Sequence, residues 1–317
     1  MTKRITMNKS DKRGCRRMYF VYDIGGTFVK FALMENNGTV KMKDKFPTTA
    51  KSAEELVAQM VEKWRPYSTE VKGIAVSCPG VVDTEKGVIY QGGSLLFMHE
   101  KNLAEMLARE CHVPVVLQND AKSAALAELW LGVAKNVHSA AILTLGSGVG
   151  GGIIMDGKLQ SGYHLMAGEV SFMETSFDTK KLRGTFFGRT GSAVELIKRI
   201  ASKKNLPNKK DGEQVFELIN QGDEEANAIF DVYIYELTSQ ILNIQYLIDP
   251  EIIAIGGGIS AQPVVVDRLN EAVAEIKDAN PYHAAQPKIV TCHFQNDANL
   301  YGALYNFFLQ MDAQNKR

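Results

Sequence analysis

The chain has 317 residues, with 36 basic and 36 acidic side chains and a hydrophobic fraction of 45%. This length can bury the core of one large or two medium domains, and the formal net charge of zero gives no general attraction to nucleic acid or to anionic membranes. No apolar run reaches the roughly 18–20 residues that a membrane-spanning helix needs, so we expect a globular protein with no nucleic-acid partner and no membrane partner.

The first 17 residues differ in composition from the rest of the chain. They carry seven basic side chains against a single acid, Asp11. A nucleic-acid-binding arm would have this charge, but the segment lacks the apolar periodicity of a DNA-binding helical domain and the apolar core of a secretory signal. We therefore expect a disordered basic leader. The four cysteines are scattered without CxxC spacing, which is typical of free thiols in a reducing cytoplasm, so we expect a cytoplasmic protein.

The first predicted strand ends in a glycine turn with an acid beside it. Residues 18–22 form an apolar run, followed by Asp23 and then by Gly25, Gly26 and Thr27. The two glycines allow a tight turn and let a phosphate approach the backbone amides, while Thr27 adds a hydroxyl. Asp23 is suited to hold the water shell of a magnesium ion. The alternative is an ordinary Gly-Gly hairpin turn without a ligand.

The next predicted elements alternate between helix and strand. Helical spacing of apolar residues predicts helices at residues 51–64 and 102–112, and an apolar run predicts a strand at residues 71–78. Gly80 follows this strand, and Gly93 lies further along. Both are candidate positions where the backbone lines a ligand site, and both could equally be plain turn glycines.

A strand predicted at residues 114–118 leads into an Ala-rich helix at residues 121–131, and Asn119 and Asp120 lie between them. A carboxylate here is suited to accept the proton of a hydroxyl that attacks a phosphate. Asp before a helix is also a common N-cap. Asn119 could bond ligand hydroxyls or serve only as a turn residue.

The glycine turn is repeated in the second half of the chain. The apolar run at residues 140–145 is followed by Gly146, Ser147 and Gly148, and a third glycine cluster at residues 256–258 follows another apolar run. Neither this turn nor the first one, at residues 25–27, matches a P-loop or a clean dinucleotide-binding fingerprint. The repetition predicts an internal duplication, with two related domains facing each other across a cleft.

The loop after the second turn contains Glu169, which follows Gly168 and could accept bonds from ligand hydroxyls or be a solvent-facing acid. His164 in the same loop is a further candidate contact, although a loop histidine is more often incidental. Beyond it, the pattern predicts helices at residues 192–203, 212–220, 224–247, 264–276 and 300–310, with strands at 252–255 and 288–291. The alternation indicates an α/β protein.

Five segments together resemble the ROK family of repressors, open reading frames and kinases. They are Asp23-Ile24-Gly25-Gly26-Thr27, residues 145–152, residues 118–121, residues 167–169 and residues 256–258. The resemblance covers about residues 18–308. It implies a two-domain, actin-like, ribonuclease-H-like ATPase fold with a cleft between the domains. Its implied division is a small domain at residues 18–119 plus 298–312, closed by the last helix, and a larger one at residues 120–297.

The resemblance also implies a role for each candidate residue. Asp120 would be the catalytic base, and Asn119 and Glu169 would hydrogen-bond sugar hydroxyls. Asp23 would orient a hydrated Mg²⁺. The three glycine turns would hold ATP by its phosphates and adenosine, through Gly25, Gly26, Thr27, Gly146, Ser147, Gly148, Gly257 and Gly258.

The chain departs from the family's zinc pattern. Many ROK kinases have Gly-His after the sugar-binding Glu and then a cysteine-rich segment, and these residues bind zinc. Here Val170, Ser171 and Phe172 follow Glu169, and residues 177–191 contain no cysteine and no histidine. We therefore expect no zinc site. Phe172 either offers an apolar wall to the ligand or packs in the core, and core packing is the commoner role.

The pattern without zinc resembles the family's β-glucoside kinases. We expect an ATP-dependent, magnesium-requiring kinase that phosphorylates the 6-hydroxyl of a hexose or hexoside, such as the β-glucoside cellobiose. A glucokinase and an N-acetylmannosamine kinase are the alternatives within this class. A sugar-sensing regulator without turnover is the alternative from another class, and the intact Asn119-Asp120 pair argues against it. We expect a homodimer.

Overall fold

A computed structural model describes residues 17–316, so the predicted basic leader lies outside the described residues except for its last position. The strands of the described part are β1 (Met18–Ile24), β2 (Phe28–Glu35), β3 (Val40–Pro47), β4 (Val71–Cys78), β5 (Val81–Asp83), β6 (Val88–Gln91), β7 (Val115–Asn119), β8 (Ala140–Leu145), β9 (Val149–Met155), β10 (Lys158–Leu159), β11 (Glu174–Asp178), β12 (Arg183–Phe186), β13 (Ile252–Gly257) and β14 (Ile289–Thr291). The helices of the same part are α1 (Ala53–Trp64), α2 (Leu103–Cys111), α3 (Asp120–Trp130), α4 (Phe187–Thr190), α5 (Ala193–Lys203), α6 (Gly212–Asn220), α7 (Glu224–Ile248), α8 (Pro263–Ala279) and α9 (Ala298–Gln314). None of the helices formed by residues 17–316 combines the length and the apolar character needed to cross a bilayer.

The first large sheet has the strand order β3-β2-β1-β4-β7. Strands β1, β2 and β3 pair antiparallel through short turns, whereas β4 and β7 continue the sheet parallel to β1. The central strand β1 is a nearly continuous apolar run because both of its faces are covered. The carboxyl ends of β1, β4 and β7 meet at one edge of the sheet, and the candidate residues Asp23, Gly80 and Asn119 lie there or directly after it.

The second large sheet repeats the first. Its order is β10-β9-β8-β13-β14, again with three antiparallel strands followed by two parallel ones. Strand β8, which precedes the second glycine turn, therefore occupies the place that β1 has in the first sheet. The predicted α/β class and the predicted internal duplication are both confirmed.

Alternate residues of β1 contribute to two different cores. Phe20 and Tyr22 pack with the apolar faces of α1 and α2 on one side of the sheet. Tyr19 and Val21 pack on the other side with α9, whose Leu304 joins that cluster. Helix α9 follows the last strand of the second sheet but packs on the first. The exact division into domains at residues 18–119 with 298–312 and at 120–297 stays a prediction.

Helix α9 also crosses α3 at very short distance. A Cβ atom placed on Gly302 would lie 1.6 Å from the carbonyl oxygen of Ser123, so only glycine allows this approach. Nearby, the buried carboxylate of Glu128 accepts the backbone N–H groups of Val133 and Phe294 at 2.9 and 2.8 Å. Helix α3 is thereby tied to α9 and to the segment that precedes it.

Strand β3 and the β11–β12 hairpin are among the parts of the fold that were not expected from the sequence. Strand β3 is mostly exposed and rich in lysine, so its sequence lacks the apolar alternation that indicates a strand. It is a strand because its backbone pairs with β2. Strands β11 and β12 form an exposed hairpin in the cysteine-free segment. Its short strands have exposed polar and aromatic residues without a repeating pattern, so periodicity alone cannot detect them.

Candidate active site

Asp23 lies near the end of β1, where it is buried and held by three side chains. Its Oδ1 accepts hydrogen bonds from Ser77 Oγ at 3.2 Å and from Asn299 Nδ2 at 2.9 Å, and Lys30 Nζ lies 3.5 Å from its Oδ2. Ser77 comes from the neighbouring strand β4 and Asn299 from α9. The carboxylate is therefore oriented by both the sheet and the last helix.

The first glycine turn is closed by backbone bonds and leaves its tip open. The N–H of Gly25 donates to the Phe28 carbonyl oxygen at 3.0 Å, and Thr48 Oγ donates to the Gly25 carbonyl oxygen at 2.7 Å. Gly26 and Thr27 are exposed. A fixed turn with an exposed tip can present backbone amides and a hydroxyl to a phosphate.

The second turn is stabilised by Ser192, a residue that the sequence analysis did not identify. Gly146 N–H donates to the Gly148 carbonyl oxygen at 2.9 Å, and Ser192 Oγ lies 3.2 and 3.0 Å from the carbonyl oxygens of Gly146 and Ser147. Ser192 is also the N-cap of α5 and accepts the N–H of Glu195. The Ser-x-x-Glu spacing of a capping box was a signal that could have identified it.

The third turn lies beside the second. Gly257 pairs with Leu145 across β13 and β8, and a Cβ atom on Gly257 (φ +92°) would lie 2.1 Å from the Leu145 carbonyl oxygen. Nothing lies within 4 Å of the Cβ position of Gly258. An open hollow of about 400 Å³ is lined by one residue that follows this turn in the chain, Gln262, and by residues of α6 and its end: Glu213, Phe216, Glu217, Asn220 and Gln221.

Asp120 is the first residue of α3, but Asn119 is the helix cap. The Oδ1 of Asn119 accepts the N–H of Lys122 at 3.0 Å, and its Nδ2 donates to the Gly80 carbonyl oxygen at 3.0 Å. These bonds use one of its two N–H donors and one of its two lone pairs, so Asn119 can still bond a ligand. The capping role considered for Asp120 thus belongs to Asn119, and the partly exposed Asp120 carboxylate accepts the Ala121 N–H at 2.8 Å.

The pKa of Asp120 is raised from its ordinary value to about 6. Burial is the main cause, since the ionised form loses hydration, and the negative charges of Asp23 and Glu169 add to the shift, while the Ala121 N–H opposes it. Such a carboxylate is still ionised at neutral pH and is a stronger base than an ordinary aspartate. The structure brings Asp23 and Glu169 close enough to Asp120 for their charges to act on its carboxyl group.

Glu169 is paired with a buried lysine that the sequence did not suggest as a functional residue. Lys122 Nζ lies 3.6 Å from Glu169 Oε1 and donates to the Leu165 carbonyl oxygen at 2.6 Å. Burial raises the pKa of Glu169, and the ammonium of Lys122 partly offsets this. Burial lowers the pKa of Lys122, again opposed by its partner.

The other candidate sugar contacts differ in their surroundings. Gly80 (φ +98°) and Gly93 (φ +57°) pack against each other: a Cβ on Gly93 would lie 3.1 Å from the Gly80 nitrogen. This contact between two chain segments accounts for both glycines, and the bond from Asn119 brings Gly80 beside the Asn119-Asp120 pair. His164 is exposed, and its ring meets Tyr163 edge to face at 4.8 Å. A role of these three residues in sugar binding stays a prediction.

Phe172 is not a core residue. Its side chain is 61% exposed and packs edge to face against Phe186 of β12, with 6.4 Å between ring centroids. The neighbouring Phe187 is the buried one. The expectation of core packing for Phe172 is therefore wrong, because its backbone lies at the base of the exposed β11–β12 hairpin. Among residues 17–316, no group of three or more His, Cys, Asp or Glu side chains could hold a metal ion.

Comparison with known proteins identifies the family. The family model described as "ROK family" matches residues 19–308. A β-glucoside kinase of Listeria innocua is 31% identical over 288 residues, covering 90% of this chain and 96% of the relative. A glucokinase of Halalkalibacterium halodurans is 28% identical over 270 residues, covering 77% of this chain and 81% of the relative.

A solved structure extends this likeness to three dimensions. The crystal structure of a ROK family protein from Streptococcus pneumoniae in complex with sucrose is 31% identical and superimposes with a TM-score of 0.82, covering 94% of this chain and 99% of that one. The predicted actin-like ATPase fold is confirmed by this agreement. With the repeated sheets and the glycine turns at their strand ends, the match shows that the chain belongs to the ROK family.

Proposed function

We propose that this protein is an ATP-dependent sugar kinase that transfers the γ-phosphoryl group to the 6-hydroxyl of a hexose or hexoside, with a β-glucoside as its preferred acceptor. Kinase activity on sugars is what the names of its relatives state. The observation that carries the proposal is the Asp120 carboxylate, which is released from helix capping and has a pKa raised to about 6.

Asp120 acts as the general base. Its carboxylate accepts the proton of the sugar 6-hydroxyl as that oxygen attacks the γ-phosphorus. Asn119 and Glu169 orient the sugar through its other hydroxyls. The amides of the two glycine turns and the hydroxyls of Thr27 and Ser147 bind the ATP phosphates, and the hollow lined by α6 and Gln262 accepts the nucleoside.

Asp23 fits the requirements of a residue that holds a hydrated Mg²⁺. A carboxylate oxygen is the kind of acceptor that magnesium and its bound waters prefer, and this one is fixed by Ser77 and Asn299. Mg²⁺ would neutralise part of the charge on the phosphates. Asp23 would hold that ion through its bound waters, and Lys30 limits the local negative charge.

The function is tested by measuring ADP release over a panel of free sugars and β-glucosides, with the phosphorylated position determined by NMR. Sugar-dependent ADP release and a 6-phosphate product are expected. Tight binding of a sugar without ADP release would instead favour the sugar-sensing regulator.

The kinase should need magnesium but no structural metal. EDTA is expected to abolish turnover, and added Mg²⁺ should restore it, whereas the melting temperature should not change on chelation. A structural zinc would make folding depend on the metal. Elemental analysis that finds about one zinc per chain, or a chelator that unfolds the protein, would contradict this expectation.

Substrate preference should depend on Phe172. Its N–H donates to the Glu169 carbonyl oxygen at 3.2 Å, so the exposed ring lies one short turn from the proposed sugar-binding carboxylate. An aromatic face there can pack against the second unit of a β-glucoside. We expect kcat/KM to be higher for cellobiose than for glucose.

Phe172→Ala should lower kcat/KM for cellobiose roughly fivefold, since an aromatic contact is worth about 1 kcal/mol, and should leave kcat/KM for glucose almost unaffected. Leu247→Ala, which removes an even more exposed apolar side chain at the end of α7, is the control. Strong preference for glucose or N-acetylmannosamine with no turnover of β-glucosides would refute the substrate assignment and leave the kinase assignment intact.

A further inference from the structure

Lys122 is an unusual residue for its position. It is the third residue of α3, a helix rich in alanine, and it is only 3% exposed. Lysine is seldom buried in proteins unless its charge is paired, because an ammonium that leaves water loses several kcal/mol of hydration energy. An apolar side chain at this position would avoid that loss, so packing alone does not explain why a lysine occupies it.

Both partners of the ammonium lie in one loop. The Leu165 carbonyl oxygen is 2.6 Å from Lys122 Nζ, and Glu169 Oε1 is 3.6 Å away. The loop at residues 160–169 is conformationally demanding, since Leu165 has φ +64° and the glycines at 162 and 168 have φ +74° and +82°. A branched side chain with positive φ costs free energy and persists only where its surroundings impose it. The bond from Lys122 is one such constraint on the Leu165 peptide.

Helix α3, which contacts this loop through Lys122, begins with Asp120, the proposed base. Asp120 and Lys122 are two residues apart in α3, and the Lys122 N–H is itself capped by Asn119 at 3.0 Å. The proposed base, the cap and the ammonium therefore belong to one rigid helix start. The carboxylate proposed to bind the sugar is connected to that start through the Lys122 side chain.

We propose that Lys122 is a positioning residue for the sugar: it fixes the loop at residues 160–169 against the start of α3, and so sets the place of the Glu169 carboxylate relative to Asp120. The inference rests on the proposed function, in which Glu169 binds sugar hydroxyls. Lys122 acts through Glu169 and touches neither the phosphates nor the reacting atoms.

The first test compares Lys122→Met with Lys122→Arg. Met has a similar length but no charge and no donor, so the KM for the sugar should rise roughly 10–100-fold, the range expected when a hydrogen bond to a charged group is lost. The KM for ATP should change less than about twofold. Arg keeps the charge and the donors and should recover much of the sugar affinity. Lys203→Met removes a lysine from an exposed ion pair with Glu225 and is the matched control.

The second test is a double-mutant cycle with Glu169→Gln. If Lys122 acts through Glu169, the double variant Lys122→Met/Glu169→Gln should have the same sugar KM as Glu169→Gln alone. The double variant also removes the half-buried carboxylate that Lys122→Met leaves without its ammonium partner, so it remains informative if the single variant folds poorly.

The outcomes separate this inference from the function on which it rests. Additive effects of the two changes, or an equal rise of the KM values for sugar and ATP, would show that Lys122 only supports the fold and would overturn the inference. The same applies if Glu169→Gln weakens sugar binding but Lys122→Met does not. An unmodified protein without sugar-dependent ADP release would instead refute the proposed function itself.

Discussion

Asp120→Asn is expected to lower kcat by roughly 10²–10⁴-fold, because a positioned general base typically contributes a factor of this size. Asn keeps the shape of the side chain and the oxygen that accepts the Ala121 N–H, but it cannot take up a proton. The KM values for ATP and sugar should change little, since the cap on α3 is provided by Asn119. Steady-state ADP release on the best sugar of the panel measures the effect.

The same residue should control the pH profile. The base must be ionised, and its pKa is raised to about 6, so kcat/KM should fall about tenfold for each unit of pH below about 6. An ordinary aspartate would retain activity to about pH 4. The residual activity of Asp120→Asn should lack this acidic limb.

Asp267→Asn, an exposed aspartate on α8, is the control and should match the unmodified protein. A folded-state pKa above the ordinary value means that the ionised carboxylate of Asp120 destabilises the fold, fully so above about pH 6. Asp120→Asn should therefore melt no lower than the unmodified protein at neutral pH. Turnover of Asp120→Asn near the unmodified level would show that another group is the base.

Gly302→Ala is expected to destabilise the protein strongly. The added methyl group would lie 1.6 Å from the Ser123 carbonyl oxygen and 2.3 Å from its carbon, and backbone atoms cannot rotate away as a side chain can. Helices α3 and α9 must then separate, which costs roughly 1–3 kcal/mol or more. A lower melting temperature and a lower urea midpoint are the measurements.

The same variant should also lower kcat, because α3 begins with Asp120 and α9 carries Asn299, which holds Asp23. Gly212→Ala is the matched control: it lies at the first position of α6, where the new methyl group meets only the tip of Ile197 at 3.1 Å. If Gly302→Ala has the same melting temperature as the unmodified protein, α3 and α9 do not approach each other so closely that only glycine fits at position 302.

Much of the candidate site could be predicted because its residues follow strands. Apolar runs that end in glycine turns are local patterns, so the turns after β1, β8 and β13 were all anticipated, as was Asp120 between β7 and α3. Lys122 was not, since a lysine in a helix is normally exposed and only the approach of the loop at residues 160–169 buries it. The exposure of Phe172 likewise depends on the β11–β12 hairpin, whose sequence has no periodic signal.

The sheet edges have a consequence for self-association. At one end of the first sheet, β3 exposes lysines; at the other, the Leu117 carbonyl oxygen of β7 accepts bonds from Thr84 Oγ and Asn306 Nδ2, each at 3.0 Å. In the second sheet, the edge strands β10 and β14 have only two and three residues. Charged, occupied or very short edges are poor templates for an additional strand. We therefore expect two copies of this protein to meet through helices and loops, and not by adding strands to either large sheet.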